Sequence, residues 1–259
     1  MSQRCHSALA HERGRAPADA ATLSHEFKNG HVIPEHFHPE DQLVFACRGV
    51  MTVRTRQAIW VVPPLRAVWI PATIPHSILM SGVVSMRTLY FKPRLVSTLG
   101  RECLVINVTP LLRELILHAC AFPHLRKSDP VQRRILQMIT DQLTVVRSAA
   151  LQLPHPSDAR AARVARALVA DPGRRVGLDE LCKRCGGSKR TIQRTFLAET
   201  NLSFEKWRRQ LRLLRALQLL AAGAKVTAVA LDVGYDSPSA FIAMFRKQLG
   251  TTPLRYFAN

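Results

Sequence analysis

No stretch of the 259 residues is uncharged and apolar for long enough to form a membrane-spanning helix, which needs about 18 to 20 such residues. That absence excludes a helical membrane protein. Residues 1–22 also lack a continuous apolar segment, being charged and interrupted at Gly14 and Pro17, so they do not read as a secretion signal. The expectation is a loosely ordered tail over 1–24 and a cytoplasmic protein. Cysteine is sparse and scattered: Cys5, Cys47, Cys103, Cys120, Cys182 and Cys185 give no disulfide framework in a chain without an export signal. Cys182 and Cys185 form a C-x-x-C pair, yet no second pair or suitably spaced His completes a zinc site. They read as small apolar residues facing a helical core. Acidic residues are the scarcest charged class, with 18 Asp plus Glu against 37 Lys plus Arg and a net charge of +19. Such an imbalance favours a polyanionic partner. The excess is densest towards the C-terminus, where residues 157–259 hold 19 basic and 8 acidic side chains.

What is present divides into two halves and a helical join. From His31 to about Pro93, runs rich in Val, Ile, Trp and Phe alternate between turn residues. Gln42–Cys47, Val50–Arg54, Ala58–Val62, Ala67–Ile70 and Ser85–Phe91 have strand length, and their close spacing predicts a compact barrel or sandwich over 25–95. A helical extension follows over 96–152. Thr109-Pro110 opens one helix, with Leu112, Leu115, Ile116 and Ala119 on a stripe. Asp129-Pro130 opens another, running to about Arg147, with Val131, Ile135, Met138, Ile139 and Leu143. These stripes require either the barrel or a second copy of the chain as partner, and the pattern does not separate the two. Residues 153–158 are poor in helix formers and read as a linker.

Residues 159–259 read as helix throughout, in seven segments with one arrangement repeated. Leu178–Cys182 leads through Gly186 to Ser188 and a helix ending at Phe196. Val226–Ala230 leads through Gly234 to Ser237 and a helix containing Phe245. Each unit has the parts of a helix-turn-helix: a short scaffold helix, a turn eased by glycine, and a serine to cap the groove-entering helix. In the first unit Ile192 and Phe196 stand four apart and face a core. Lys189, Arg190, Gln193 and Arg194 are thereby left outside. Arg bonds guanine bidentately and Gln bonds adenine, while Lys189 suits phosphate. The second unit offers Pro238, Ser239, Ala240, Ile242 and Ala243, with charge only at Arg246 and Lys247, and so predicts phosphate contact and shape fit. The long helix 204–222 would set the two readers in adjacent major-groove turns, with Arg208, Arg209, Arg212 and Arg215 pointing outward.

The stretch Leu178–Phe257, and above all Val233-Gly234-Tyr235-Asp236-Ser237-Pro238-Ser239-Ala240-Phe241 with Phe245-Arg246-Lys247, Gly250, Thr252-Pro253 and Tyr256, resembles the DNA-binding domain of AraC/XylS-family regulators. The resemblance implies two helix-turn-helix motifs joined by one long helix. Such a domain reads promoter DNA and activates transcription by contacting RNA polymerase. Base-contacting positions map to Arg190, Gln193 and Arg194, and to Ser239, Ala240 and Ala243. Gly187 stands where the family has an apolar residue, and Ala243 where an Arg is common.

Gly30, His36, His38, Gln42 and Gly49, followed by Pro71 and His76, resemble the two motifs of cupin barrels, with Gln42 in place of the usual Glu. That resemblance implies a jelly-roll barrel in which His36, His38, Gln42 and His76 converge on one divalent metal; an amide oxygen brings no charge and weakens such a site. Otherwise these side chains line an effector pocket or satisfy hydrogen bonds within the barrel. Trp60 and Trp69 suit either an aromatic mouth or core packing. The fold class expected is therefore α+β multidomain, a cupin-like sensing barrel before an all-α reader of DNA. The function expected is a sequence-specific, effector-responsive regulator that is not an enzyme. Its partners would be DNA, a small molecule, RNA polymerase and a second copy, with no membrane. The rivals are a metal-dependent cupin enzyme with a helical accessory, and a nucleic-acid binder using charge alone.

Overall fold

The computed structural model describes residues 18–143 and 151–258 together with the backbone of Gln3–Arg4. Two compact units form. One comprises residues 1–55 and 60–148, the other residues 56–59 and 149–259.

The first unit is built on strands β1 (Gln3–Arg4), β2 (Ala20–Phe27), β3 (Val32–Phe37), β4 (Asp41–Arg54), the Trp60–Val62 part of β5 (Ala58–Val62), β6 (Arg66–Ile70), β7 (His76–Phe91), β8 (Leu104–Asn107) and β9 (His124–Leu125), with helices α1 (Pro110–Ala119) and α2 (Pro130–Gln142). Strands β4 and β7 organise it. They pair antiparallel from Asp41↔Phe91 to Arg54↔Ser77, and each takes different neighbours along its length. The Ala20 to Phe27 run lies on the C-terminal half of β7 and the Val32 to His36 run on its N-terminal half. The bend comes at Gly49, where the register shifts and φ is +76°. A side chain there would sit 2.6 Å from the Val83 carbonyl oxygen. Gly49 therefore bends one long strand at a bulge instead of separating two short ones. Among the described residues the pairing never runs into a ring: β1, β8 and β9 have one neighbour each. The expected closed barrel is thus an open, bent sheet.

That sheet reaches further towards the N-terminus than expected. Ala20 and Ala21 pair with Phe91 and Tyr90, Ala18, Ala20 and Ala21 are buried, and Ala20 joins the core shared with the helices. Residues 18–24 thus belong to the fold; most of the remaining tail lies outside the described residues. The second stripe ends at Gln142, and its expected continuation to Arg147 also lies outside them.

One face of the sheet meets α1 and α2. Leu43, Phe45, Trp69, Leu89 and Phe91 pack there with Leu112, Ile116, Ile135, Leu136 and Ile139 in one core. The buried members of the helical stripes are therefore covered by the chain's own sheet, whereas Val131 and Met138 of the second stripe stay exposed. Thr109 and Asp129 cap the helices, each with Pro at the first position, as the sequence requires. Trp69 is in this core, 5.7 Å from Phe91, and Trp60 is buried as well, so neither forms an open aromatic mouth.

The second unit holds β10 (Gln152–Pro154) and helices α3 (Ala159–Ala170), α4 (Leu178–Cys185), α5 (Lys189–Thr200), α6 (Phe204–Ala221), α7 (Val226–Asp232), α8 (Pro238–Leu249) and α9 (Pro253–Tyr256). The segment read as a linker is docked on these helices. Leu153 is fully buried, the Trp207 indole donates to the Pro154 carbonyl at 2.8 Å, and the Glu199 carboxylate accepts from the amides of Ser157 and Asp158. No helix among the described residues is long and apolar enough to cross a membrane.

Candidate functional site

Helix α4 begins at Leu178 and stops at Gly186 (φ +73°), followed by Gly187 at φ +128°, a backbone state closed to residues with a side chain. The glycine that departs from the expected apolar residue is thus required by the turn this chain makes. Ser188 then starts α5, its hydroxyl accepting from the Thr191 amide at 3.2 Å. Ile192 and Phe196 are fully buried, Phe196 edge-on to Phe204 and Trp207. Helical geometry consequently turns Lys189, Arg190, Gln193 and Arg194 outward, and all four are exposed. Lys189 is held by Asp179, 3.0 Å away, while among the described residues Arg190, Gln193 and Arg194 have no intramolecular partner. Cys182 lies in the core beneath α4, and the C-x-x-C pair belongs to no metal-ligating cluster among the described residues.

The second motif repeats the design. Gly234 turns at φ +83°, Ser237 caps α8 by accepting from Ala240 N at 3.2 Å, and Phe241 and Phe245 fill the core. Ser239, Ala240, Ala243, Arg246 and Lys247 are exposed. The outer face of α8 therefore offers one hydroxyl, two methyls and two cations.

Helix α6 spans 18 residues, about 27 Å at 1.5 Å per residue. Its arginines do not all point outward as expected. Arg209 and Arg215 do, whereas Arg208 donates to the carbonyls of Arg174 and Val176, and Arg212 lies 5.8 Å from the centre of the Tyr235 ring. Burial pushes the Arg208 guanidinium pKa down, with Arg212 adding to the effect. These two residues staple the loop 171–177, which leads into the first motif, to the turn of the second. The same loop brings Gly173 against Asp232 and Gly234 with no room for a side chain. Arg175 adds an ion pair to Asp236 at 2.9 Å. Sequence reasoning missed this clamp because only its glycines carry a signal, and a glycine in a loop has many uses.

The histidines of the first unit do meet. His36 lies in the last two residues of β3, His38 follows the strand and His76 begins β7; one ligating atom from each lies within 4.8 Å of the others. His38 and His76 are buried and His36 is half-buried. Each Nδ1 sits against a backbone carbonyl: Pro34 at 2.8 Å, Glu40 at 2.8 Å and Ile74 at 2.9 Å. A carbonyl only accepts, so every Nδ1 carries a proton, and in the neutral ring Nε2 is the nitrogen with the free lone pair. His76 Nε2 is buried with no hydrogen-bond partner. Burial pushes the His76 pKa down to about 3 and lowers that of His38, holding both rings neutral.

Gln42 completes the set. Thr88 Oγ1 donates to the Leu43 carbonyl at 3.1 Å and accepts from Gln42 Nε2 at 3.0 Å, which turns Gln42 Oε1 towards His38 Nε2, 3.1 Å away. Two acceptor lone pairs thus face each other in a buried site. A divalent cation relieves this contact by accepting both, so the donors fit a metal of the imidazole-binding class, with His36, His38 and His76 through nitrogen and Gln42 through oxygen. Such an ion would polarise and bind a small molecule in this half of the sheet.

Comparison with known proteins agrees with both halves. The chain matches the AraC-like ligand binding domain over residues 22–166 and a helix-turn-helix domain over residues 181–259. It is 36% identical over 226 residues to the HTH-type transcriptional regulator NimR of Escherichia coli K12, covering 87% of this chain and 82% of that protein. It is also 24% identical over 224 residues to the virulence regulon transcriptional activator VirF of Yersinia enterocolitica, covering 83% and 79%. Among solved structures, the DNA-binding domain of AdpA in complex with a target DNA is similar at 30% identity and TM-score 0.37, over 39% of this chain and 92% of that one. With an effector-binding sheet joined to two capped helix-turn-helix motifs, the chain belongs to the AraC family of transcriptional regulators.

Proposed function

We propose that this regulator selects its promoter sites mainly through α5, with Arg190 and Arg194 reading guanines and Gln193 an adenine, and Lys189 set against phosphate. The observation that carries the reading is the division of α5, its inner face closed by Ile192 and Phe196 and its outer face carrying Arg190, Gln193 and Arg194, which have no partner among the described residues. Helix α8 contributes shape and phosphate contact through Ser239, Ala240, Ala243, Arg246 and Lys247, since its two methyl groups offer nothing for hydrogen bonding to a base edge. A small-molecule effector and a divalent metal at His36, His38, Gln42 and His76 occupy the first unit, and the protein acts as a regulator, not an enzyme. Cytoplasmic location, a homodimer and activation through contact with RNA polymerase complete the proposal and rest on the family alone.

Selection of sites from random duplex DNA by the full chain tests it. A defined motif is expected, and Arg194→Ala should lower affinity for it about 5- to 150-fold, the equivalent of the roughly 1–3 kcal/mol of one bidentate pair, with preference lost in one half of the site. An unchanged motif after replacing Arg190, Gln193 and Arg194 together would overturn the assignment.

A further inference from the structure

The side chains that face the histidine cluster are neutral at the point where a carboxylate would ordinarily compensate a bound dication. His36, His38 and His76 bring imidazole nitrogens, which add no negative charge, and Gln42 brings an amide oxygen held in place by Thr88. Among the described residues the carboxyl group in contact with the cluster is that of Glu40, itself 1% exposed, with Oε2 3.9 Å from His38 Nδ1. It touches the outer nitrogen of the ring and not the ligating one. A dication with one carboxylate behind it keeps a net positive charge in a buried setting, where an uncompensated charge is costly. His36 is the least buried member of the cluster, and we take its side as the approach for a further ligand.

We propose that this site, resting on the metal reading above, is built to take an anionic small molecule as the remaining metal ligand, that Gln42 is the residue that sets this charge preference, and that Thr88 is its positioning residue. Neutral donors leave the ion's charge for the effector to satisfy, so affinity for the effector is gained at the expense of affinity for the metal. Gln42→Glu reverses the trade: the added carboxylate cancels the residual charge. Thr88 acts one step removed. Without its hydroxyl the Gln42 amide loses the contact that decides which of its ends faces His38, and the oxygen is no longer held towards the ion.

The test uses the full chain, stripped with a chelator and titrated with Co(II), whose visible absorption reports coordination, followed by azide as the probe anion. Wild type is expected to bind one Co(II), and azide to shift the absorption bands saturably. Gln42→Glu should bind Co(II) at least tenfold more tightly and azide at least tenfold more weakly. Thr88→Val should weaken Co(II) binding about 10- to 100-fold, as loss of an outer-shell partner does, and Thr88→Ser should restore it. Rescue by serine separates positioning from a packing role, and circular dichroism checks that each variant is folded. Equal azide affinity in wild type and Gln42→Glu, both holding Co(II), would overturn the charge assignment alone. Failure of folded wild type to bind Co(II) would overturn the metal reading itself. Neither result bears on how α5 selects DNA.

Discussion

Placing a methyl group on Gly173, on Gly234, or on both probes the clamp between the two helix-turn-helix motifs. At Gly234 two effects add. A side chain at φ +83° costs about 1–2 kcal/mol. Its Cβ would also stand 2.7 Å from the Gly173 carbonyl oxygen and 2.7 Å from an Arg212 nitrogen. The arginine can yield but the backbone cannot, and overpacking of this kind costs about 1–3 kcal/mol. Gly234→Ala should therefore remove about 2–5 kcal/mol from the second unit. At Gly173 the backbone permits a side chain, so the cost is steric alone: a Cβ would fall onto the Asp232 carbonyl oxygen, which sets it near the upper end of about 1–3 kcal/mol. Hydrogen exchange of the full chain measures both. At about 1.4 kcal/mol per factor of ten, the slowest amides of α5 and α6 should exchange some 30- to several-thousand-fold faster in Gly234→Ala, with β4 and β7 as the internal reference. Because both substitutions break one approach, the double variant should lose less than the sum, by about 0.5–3 kcal/mol. Strict additivity, or single variants within threefold of wild type, would refute the clamp.

Three further outcomes follow from the packing. Arg208→Met should destabilise the second unit by about 1–3 kcal/mol, because the carbonyls of Arg174 and Val176 lose a charged donor; denaturant unfolding followed by helical circular dichroism checks this. Ile116→Ala, a deletion in the core between the sheet and α1, should cost about 2–5 kcal/mol in the first unit and lower its thermal midpoint. Burial pushes the Cys103 thiol up to about 12, so it should stay protonated and unlabelled by iodoacetamide at pH 8 in native protein and become labelled only on unfolding, as mass spectrometry of the digest would show.

The DNA-reading half was legible because helix-turn-helix motifs are local. Ser188 and Ser237 cap helices whose buried residues recur at helical spacing, and each turn is closed by glycines at positive φ, so signal and structure lie within a few residues of one another. The same holds for the outward placement of Lys189, Arg190, Gln193 and Arg194, which depends only on Ile192 and Phe196 facing inward. The His36, His38, Gln42 and His76 set was readable as a pattern, since those residues flank turns at fixed offsets.

Long-range geometry decided the rest. Gly49 reads as a turn residue in isolation; only the close approach of the Val83 backbone on the neighbouring strand shows that it lies at a bulge within one strand of 14 residues. Whether the stripes of α1 and α2 cover a sheet or a second chain depends on what lies opposite, and an apolar stripe carries no record of that. Arg208 and Arg212 look like their neighbours Arg209 and Arg215 along the chain. They differ because one side of α6 meets the loop at 174–176 and Tyr235, and a guanidinium takes its role from the carbonyls and rings that tertiary packing brings to it. For Gln42, similarly, the sequence determined an amide at a carboxylate's place, while Thr88, 46 residues away, decided which end of that amide faces His38.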